Sequence, residues 1–362
     1  MSERGHKLKS ILMLIPSYIK RDIQDEVAKD KHPVMDYYAL QHALDADIAD
    51  YAMVDNSNSI PVRLTAFAGK DAALAMIGFL HRKNYSAIYS NGENVSIPLA
   101  FLFLFCRIRP YHALIGHHPS TPKKRLFLKF LENKMDAIFT YSSVQQKYCI
   151  TALGFPDGKV HLIPFHADHR FYRPINGATC NRICSAGLEW RDYPTLIEAV
   201  KDMNVEVCLA AASPWSKHRN ETKGRILPNN VTARRYDYNE LRDLYASSLF
   251  VVVPLYENDF QAGITTILEA MAMGKAVIAT KTTGQVDVIR DGENGITVPP
   301  GDPIALRSAI QRLINQPDLA KKMGVNARND LLANMTLDHW TSRIAENILN
   351  AIKLKTVDTP IS

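Results

Sequence analysis

Residues 249–280 read LFVVVPLYENDFQAGITTILEAMAMGKAVIAT. The β-branched run predicts a buried strand over Leu249–Pro254, and the polar loop YENDFQAG follows it. A mostly apolar stretch predicts a helix over Thr265–Met273, and AVIA predicts a second strand over Ala276–Ala279. Strand, helix and strand in that order make a βαβ unit, which requires a parallel sheet.

The same alternation extends to both sides. Upstream, strands are expected at Ile11–Ile15, Ala87–Ser90, Ala113–Gly116, Ala137–Tyr141 and Val160–Pro164, with helices at Tyr37–Leu44, Asp71–Arg82 and Lys123–Lys134. Around and beyond the opening stretch, strands are expected at Arg182–Ala186, Val205–Ala210 and Gly295–Val298. Helices are expected at Tyr193–Lys201, Tyr238–Ala246, Ile304–Asn315 and Leu319–Leu332. Two such series, parted near Arg173–Thr179, imply an α/β protein of two doubly wound Rossmann-like domains facing a cleft. The expected boundaries are 1–175 for the first domain and 176–335 for the second. Residues 336–362 are expected to form a C-terminal helix that packs back on the N-terminal domain, with a frayed tail.

Bulk properties agree. A chain of 362 residues suits two domains, and 46 % hydrophobic residues with 22 % charged is a globular balance. The formal charge of +6 favours phosphate-bearing ligands or an anionic surface and is too mild to imply nucleic acid. Five cysteines, Cys106, Cys149, Cys180, Cys184 and Cys208, fit no zinc or disulfide framework and read as reduced thiols in a cytoplasmic protein. The apolar run at Ile11–Ile15 is too short for a signal peptide, and Ser96–Ile108, the nearest approach to a membrane span, reads as a buried helix.

The loop in the opening stretch has a chemical reading. The first amides of a helix lack internal partners and carry the positive end of its dipole. Gly263 lets a ligand approach the backbone, and Thr265 and Thr266 add hydroxyls, which makes an anion site suited to a diphosphate. Glu269, one turn in from Thr265, is placed to accept hydrogen bonds from ribose hydroxyls. The plainer reading is a capping threonine with a solvated glutamate, and residue chemistry alone leaves the two even.

Gln261 to Thr280, continued by TTGQVDVIRDGENGITVPPGDPIAL, resembles the C-terminal signature of retaining glycosyltransferases of family 4 (group 1), which have the GT-B fold. That signature pairs two glutamates eight positions apart, before Ala-Met-Ala-x-Gly and a strand. Here Glu269 is the second, and Gln261 stands at the first, a departure that keeps hydrogen bonding and removes charge; Glu257 and Asp259 lie close by. The resemblance implies donor contacts from Ala262, Gly263, Ile264, Thr265, Thr266 and Glu269, with Gln261 at the donor sugar. It also implies that Arg191, in SAGLEWRDYPTLIEAV, carries charge for the diphosphate, with Lys217 as the second cation. An ion pair with Asp192 or Glu189 is the competing reading of Arg191.

In ALIGHHPSTPKKR the resemblance places one histidine of a strand end over the donor sugar, His117 first and His118 as its alternate. Gly92 and Glu93, in YSNGENVS, line the acceptor side or begin a helix. SYIKRD lacks the glycine pair that relatives carry after the first strand. The basic, leucine- and phenylalanine-rich run Lys123–Lys134 is either a helix packed on its own sheet with lysines in water or a peripheral membrane contact.

The implied activity is transfer of a sugar, as by a hexosyltransferase, from a nucleotide diphosphate sugar to a saccharide or lipid-linked acceptor in polysaccharide or glycolipid assembly. It would run without a metal ion, because cations and a helix terminus stabilise the leaving diphosphate. The competing readings are a nucleotide-sugar epimerase of the same fold and a non-catalytic nucleotide-sugar or membrane-binding protein. The implied location is cytoplasmic or peripheral at a membrane.

Overall fold

The computed structural model describes residues 9–357 except 21, 176, 178–179 and 212–226. It separates into two compact units. The first comprises the chain up to Asp22, Met35–Ile163 and the stretch from Trp340 onward. The second comprises Ile23–Val34 and Pro164–His339. Asp30 ties the short Ile23–Val34 excursion into the second unit by accepting from Arg173 at 2.7 and 3.1 Å and from Arg242 at 3.0 Å. The long C-terminal helix, Leu337–Val357, joins the first unit along most of its length, with Asn347 meeting Tyr111 and His161.

In the first unit six parallel strands lie in the order β2-β1-β3-β4-β5-β6. They are β1 (Lys9–Leu14), β2 (Asp47–Ala49), β3 (Tyr85–Ser90), β4 (Tyr111–Gly116), β5 (Ala137–Thr140) and β6 (Val160–Leu162). In the second unit the order is β12-β11-β10-β7-β8-β9. These strands are β7 (Arg182–Ala186), β8 (Glu206–Ala210), β9 (Val231–Ala233), β10 (Val251–Val253), β11 (Val277–Thr280) and β12 (Gly295–Val298). Read from β7, the second order is that of the dinucleotide-binding sheet, with the strand order reversing between β7 and β10.

Both faces of each sheet are covered, which is why the strands read as unbroken apolar runs. Val251 and Val253 enter one core cluster, whereas Phe250 and Val252 enter the other. That alternation is the pleat of a strand. Each such side chain contributes about 1.5–3 kcal/mol relative to exposure.

Two strands escaped the sequence reading, β2 and β9. Each has three residues and lies next to a sheet edge or on it, too short to show a period. The helices placed from the sequence lie within three residues of expectation, because their starts are marked chemically, whereas Ile23–Ala28, Tyr51–Asp55, Ile60–Ala66 and Ser143–Thr151 escaped the reading. Asp237 and Glu240 form a reciprocal capping box at Tyr238–Ser247. Asp192 and Asp302 cap Tyr193–Val200 and Pro303–Asn315, each with proline in the first turn. The Ser96–Ile108 expectation needs correction. A helix runs over Glu93–Leu102 and a 3-10 turn over Phe103–Phe105, but Phe101, Phe105 and Ile108 are exposed.

Candidate functional site

The reversal between β7 and β10 is where an open parallel sheet leaves room for a ligand at its strand ends. Both strands here feed loops that are tied together. The Asp192 amide donates to the Pro254 carbonyl, Tyr256 donates to the Trp190 carbonyl, and Arg191 bridges to Leu255. The β7 loop needs unusual backbone, with Gly187 at φ +92° and Trp190 at φ +54°. A non-glycine residue in that region stores strain, and such strain gathers at binding sites.

After β10 the chain reaches Gly263, which has φ +76° and precedes the helix Ile264–Ala272. No side chain caps this helix. Its start is therefore available to an anion, with the Thr265 side exposed and Ala262, Ile264 and Thr266 buried.

Arg191 lies directly behind that start and is 6 % exposed. Its Nε donates to the Ala186 carbonyl at 2.8 Å, Nη1 to the Glu189 carbonyl at 2.8 Å, and Nη2 to Thr266 Oγ1 at 3.1 Å. The guanidinium fork is thus taken up by protein, and the expectation that it grips phosphate oxygens in pairs is not the arrangement seen. The competing ion-pair reading fails as well. Asp192 is spent on the Thr195 amide and hydroxyl, at 3.0 and 2.6 Å, and Glu189 supplies its carbonyl oxygen. Among the described residues the buried cation bonds neutral groups alone, and burial holds its pKa below the ordinary arginine value. A buried charge without a hydrogen-bonded counter-ion favours an anion at the open helix end above it.

Glu269 is 9 % exposed and accepts from the Tyr245 hydroxyl at 2.9 Å. Burial pushes its carboxyl up to about 7, while the hydroxyls of Tyr245 and Tyr172 and the charge of Arg191 pull the other way. The reading of a solvated glutamate is thereby removed. Gln261, 5 % exposed, donates from Nε2 to the Val286 carbonyl at 2.9 Å, and its buried Oε1 has no hydrogen-bond partner. Such an orphan acceptor calls for a donor. The loop is braced by the segment after β11: the Gly284 amide donates to Asn258, the Thr283 amide to Glu257, and Gln285 to Ala262. Lys217 falls in 212–226, outside the described residues.

In the first unit the structure gathers His117, Gly92 and Glu93 at the ends of β3 and β4. His117 Nε2 is 3.3 Å from Asn91 Oδ1, and its Nδ1 is 3.1 Å from the Tyr141 hydroxyl. The ring reaches solvent, yet the protein packed around it hinders solvation of the charged form and holds its pKa below the ordinary value. A neutral ring facing an amide oxygen at Nε2 carries its proton there, which leaves Nδ1 to accept from Tyr141. Gln145 completes the frame, donating to the His117 carbonyl at 3.1 Å and accepting from the Tyr141 amide at 3.0 Å.

Glu93 does not line an open acceptor surface. It is buried in the first turn of its helix, where it accepts from the His118 amide at 2.7 Å and from Lys124 Nζ at 3.1 Å. Gly92 is the N-cap of that helix. Tyr245, Tyr172, Asn91, Tyr141 and Gln145 were missed from the sequence. The tyrosines and Gln145 are brought in from separate elements, and nothing local marks them, whereas Asn91 adjoins Gly92 in the stretch already singled out. Among the described residues no group of His, Cys, Asp and Glu has the makings of a metal site.

Residues 186–316 match the family model described as Glycosyl transferases group 1. That match falls within the second unit. The chain is 24 % identical over 231 residues to the MMP alpha-(1->4)-mannosyltransferase of Mycolicibacterium hassiacum, covering 61 % of this chain and 54 % of that protein. It spans about half or less of the length of the curated relatives it matches. Among solved structures, the sucrose-phosphate synthase of Thermosynechococcus elongatus superposes with a TM-score of 0.73 at 17 % identity, covering 95 % of this chain and 100 % of that one. HepE from Anabaena, solved in complex with UDP-glucose, gives 0.70 at 18 % identity, covering 94 and 99 %. These likenesses establish the fold as GT-B, two doubly wound Rossmann-like units.

Proposed function

We propose that this protein is a group 1 glycosyltransferase, that its second unit binds a nucleotide diphosphate sugar, and that it transfers the sugar, with retention, to a saccharide or lipid-linked acceptor in polysaccharide or glycolipid assembly. One observation carries the reading. An uncapped helix start at Gly263 stands over a buried arginine, and a buried glutamate with a raised pKa lies one turn further in.

The diphosphate would lie on the helix start, held by the amides from Gly263 onward, the Thr265 hydroxyl and the field of Arg191. Glu269 would accept from the ribose hydroxyls. The orphan Oε1 of Gln261 would accept from a hydroxyl of the sugar, a role that needs no charge. On the first unit, the exposed His117 with its partner Asn91 would offer polar groups to a sugar hydroxyl. No residue is assigned as a covalent nucleophile, since the leaving diphosphate itself can assist attack from its own face. A lipid-linked acceptor would require peripheral contact with a membrane. The UDP-glucose bound by HepE makes uridine diphosphate sugars the first donors to test.

The test is a thermal-shift screen of nucleotide sugars on the wild type, Glu269→Ala and Gln261→Ala. A ligand that binds the native state raises the melting temperature. The reading requires one donor class to stabilise the wild type and to lose its effect in Glu269→Ala, with Gln261→Ala weakening sugar nucleotides more than the bare nucleoside diphosphate. No shift with any donor, or equal shifts in all three proteins, rejects it. Incubation with the stabilising donor alone then separates the alternatives. Conversion to an isomer indicates an epimerase, slow hydrolysis supports a transferase, and no turnover with or without acceptors indicates a binding protein.

A further inference from the structure

The least expected feature of the first unit is what it leaves uncovered. Leu128 and Leu131 of the Pro122–Leu131 helix enter the core together with Ala100, and Leu104 packs against the same cluster. The Glu93–Leu102 helix, which runs into the 3-10 turn at Phe103–Phe105, packs against the Pro122–Leu131 helix, so the outward sides of these elements adjoin. That surface presents Phe101, Phe105, Ile108, Leu126, Phe127 and Phe130, with Ile108 88 % and Phe105 76 % exposed. Phe101 and Phe105 meet edge to face at 5.9 Å, so the turn holds its rings as a pair. Large apolar groups clustered in water mark an interaction surface.

Its charge says what kind. Arg107, Lys123, Arg125 and Lys129 are exposed among the apolar groups. From Phe101 to Lys134 the sequence has seven basic residues and one acid, Glu132, which lies 3.7 Å from Lys159. The nearby Glu93 is buried against Lys124. The surface is thus strongly cationic. A helix with an apolar outward ridge flanked by cations is built to lie in the plane of a lipid interface. A second copy is disfavoured as occupant, because a two-fold interface would set these cations against themselves. No described helix is long and apolar enough to cross a membrane, so the contact would be one of lying on it.

We propose that the outward face of the Pro122–Leu131 helix and the adjoining Phe101–Ile108 segment is a docking surface for an anionic lipid bilayer. The apolar side chains enter the boundary between headgroups and acyl chains, and the four cations meet lipid phosphates. None of the residues substituted below is one proposed to bind the donor, so its test is separable from that of the donor reading.

The experiment is co-sedimentation of the full chain with vesicles of phosphatidylcholine, and with vesicles of phosphatidylcholine mixed with phosphatidylglycerol. The wild type should bind the mixed vesicles, weakly or not at all the neutral ones, and should be partly released by salt. The double substitution Phe127→Ser with Phe130→Ser, and separately Lys123→Glu with Lys129→Glu, should each lower partition about tenfold or more. All four side chains are exposed, so both variants should melt like the wild type and keep any nucleotide-sugar shift. Absence of binding to either vesicle overturns the proposal, as does equal binding by the variants. Self-association that the same substitutions abolish, without vesicle binding, overturns it in favour of a second copy.

Discussion

Nη1 of Arg191 stands 3.0 Å from the point where a Cβ on Gly263 would sit, and Val253 Cγ1 stands 2.9 Å from the same point. Gly187 closes the guanidinium from the other side, its missing Cβ falling 2.6 Å from Nη2. The cation is packed between two glycines that both have positive φ. Gly263→Ala therefore adds a clash to a left-handed conformation. The expected cost is about 1–3 kcal/mol of stability. Thermal melting would measure it, and the nucleotide-sugar shift should vanish even at temperatures where the variant is folded.

Arg191→Lys retains the charge and removes the strut. An ammonium group cannot reach the Ala186 and Glu189 carbonyls and the Thr266 hydroxyl in the same fork geometry. Two buried carbonyls would lose a donor, a loss of about 2–4 kcal/mol. Denaturant unfolding of the lysine variant beside Arg191→Met separates charge from hydrogen bonding. The lysine variant should be almost as unstable as the methionine one, and a lysine variant of wild-type stability would show that charge is what the site requires.

Glu269 gives stability a definite pH dependence. Its pKa is 4.5 in the ordinary state and about 7 in the fold, so between these values the native state binds the additional proton. Stability contributed by this group is present below about 4.5 and is lost as pH rises through about 7. Glu269→Gln should flatten that part of the stability profile in urea titrations across the window. Nucleotide binding should run the other way in the wild type, strengthening as the carboxylate forms, and the glutamine variant should bind more weakly at pH 8 with little pH dependence.

Tyr141→Phe removes the hydroxyl at His117 Nδ1 without disturbing the Tyr141 amide bond to Gln145. With Asn91 alone left to hold the proton at Nε2, the ring of His117 should show a weakened preference for the Nε2–H tautomer, visible in histidine side-chain nitrogen NMR shifts. Turnover should fall by about tenfold, in proportion to the lost orientation, with donor affinity little changed. A variant with wild-type nitrogen shifts would rule out this positioning role.

His112 sits at the core of the first unit, its Nε2 3.1 Å from both Ser90 and Ser96 hydroxyls and its Nδ1 3.2 Å from the Lys134 carbonyl. Burial is the main cause of its pKa falling from 6.5 to about 4. The unfolded chain binds the additional proton between those values, so stability is lost as pH falls from about 6.5 towards 4. The slope approaches about 1.4 kcal/mol per pH unit. His112→Gln keeps a donor and an acceptor without the titration, and acid unfolding followed by circular dichroism should begin at a lower pH.

Much of this was legible in the chain. The run LFVVVP, the glycine before ITTILEA and the alternation of such units led to two parallel sheets. These signals are local: β-branched residues favour strands, glycine takes positive φ, and aspartate before proline starts a helix. The loop from Gln261 to Glu269 was legible for the same reason, since its residues are consecutive. The second-layer partners were not. Tyr245 reaches Glu269 from another helix, and Tyr141 reaches His117 from the next strand end.

The sequence by itself determined the alternation of strand and helix, the parallel sheets it implies and the residues that crowd the Gly263 loop, because spacing along the chain decides helix, strand and turn. Tertiary structure decided how those residues act. It turned Arg191 from a presumed phosphate clamp into a buried charge behind a helix start, and it closed Glu93 into an ion pair. It also left Phe105 and Ile108 in water where an apolar run had implied burial. Desolvation and the direction of a side chain depend on what packs against it from distant segments, and no local pattern carries that information.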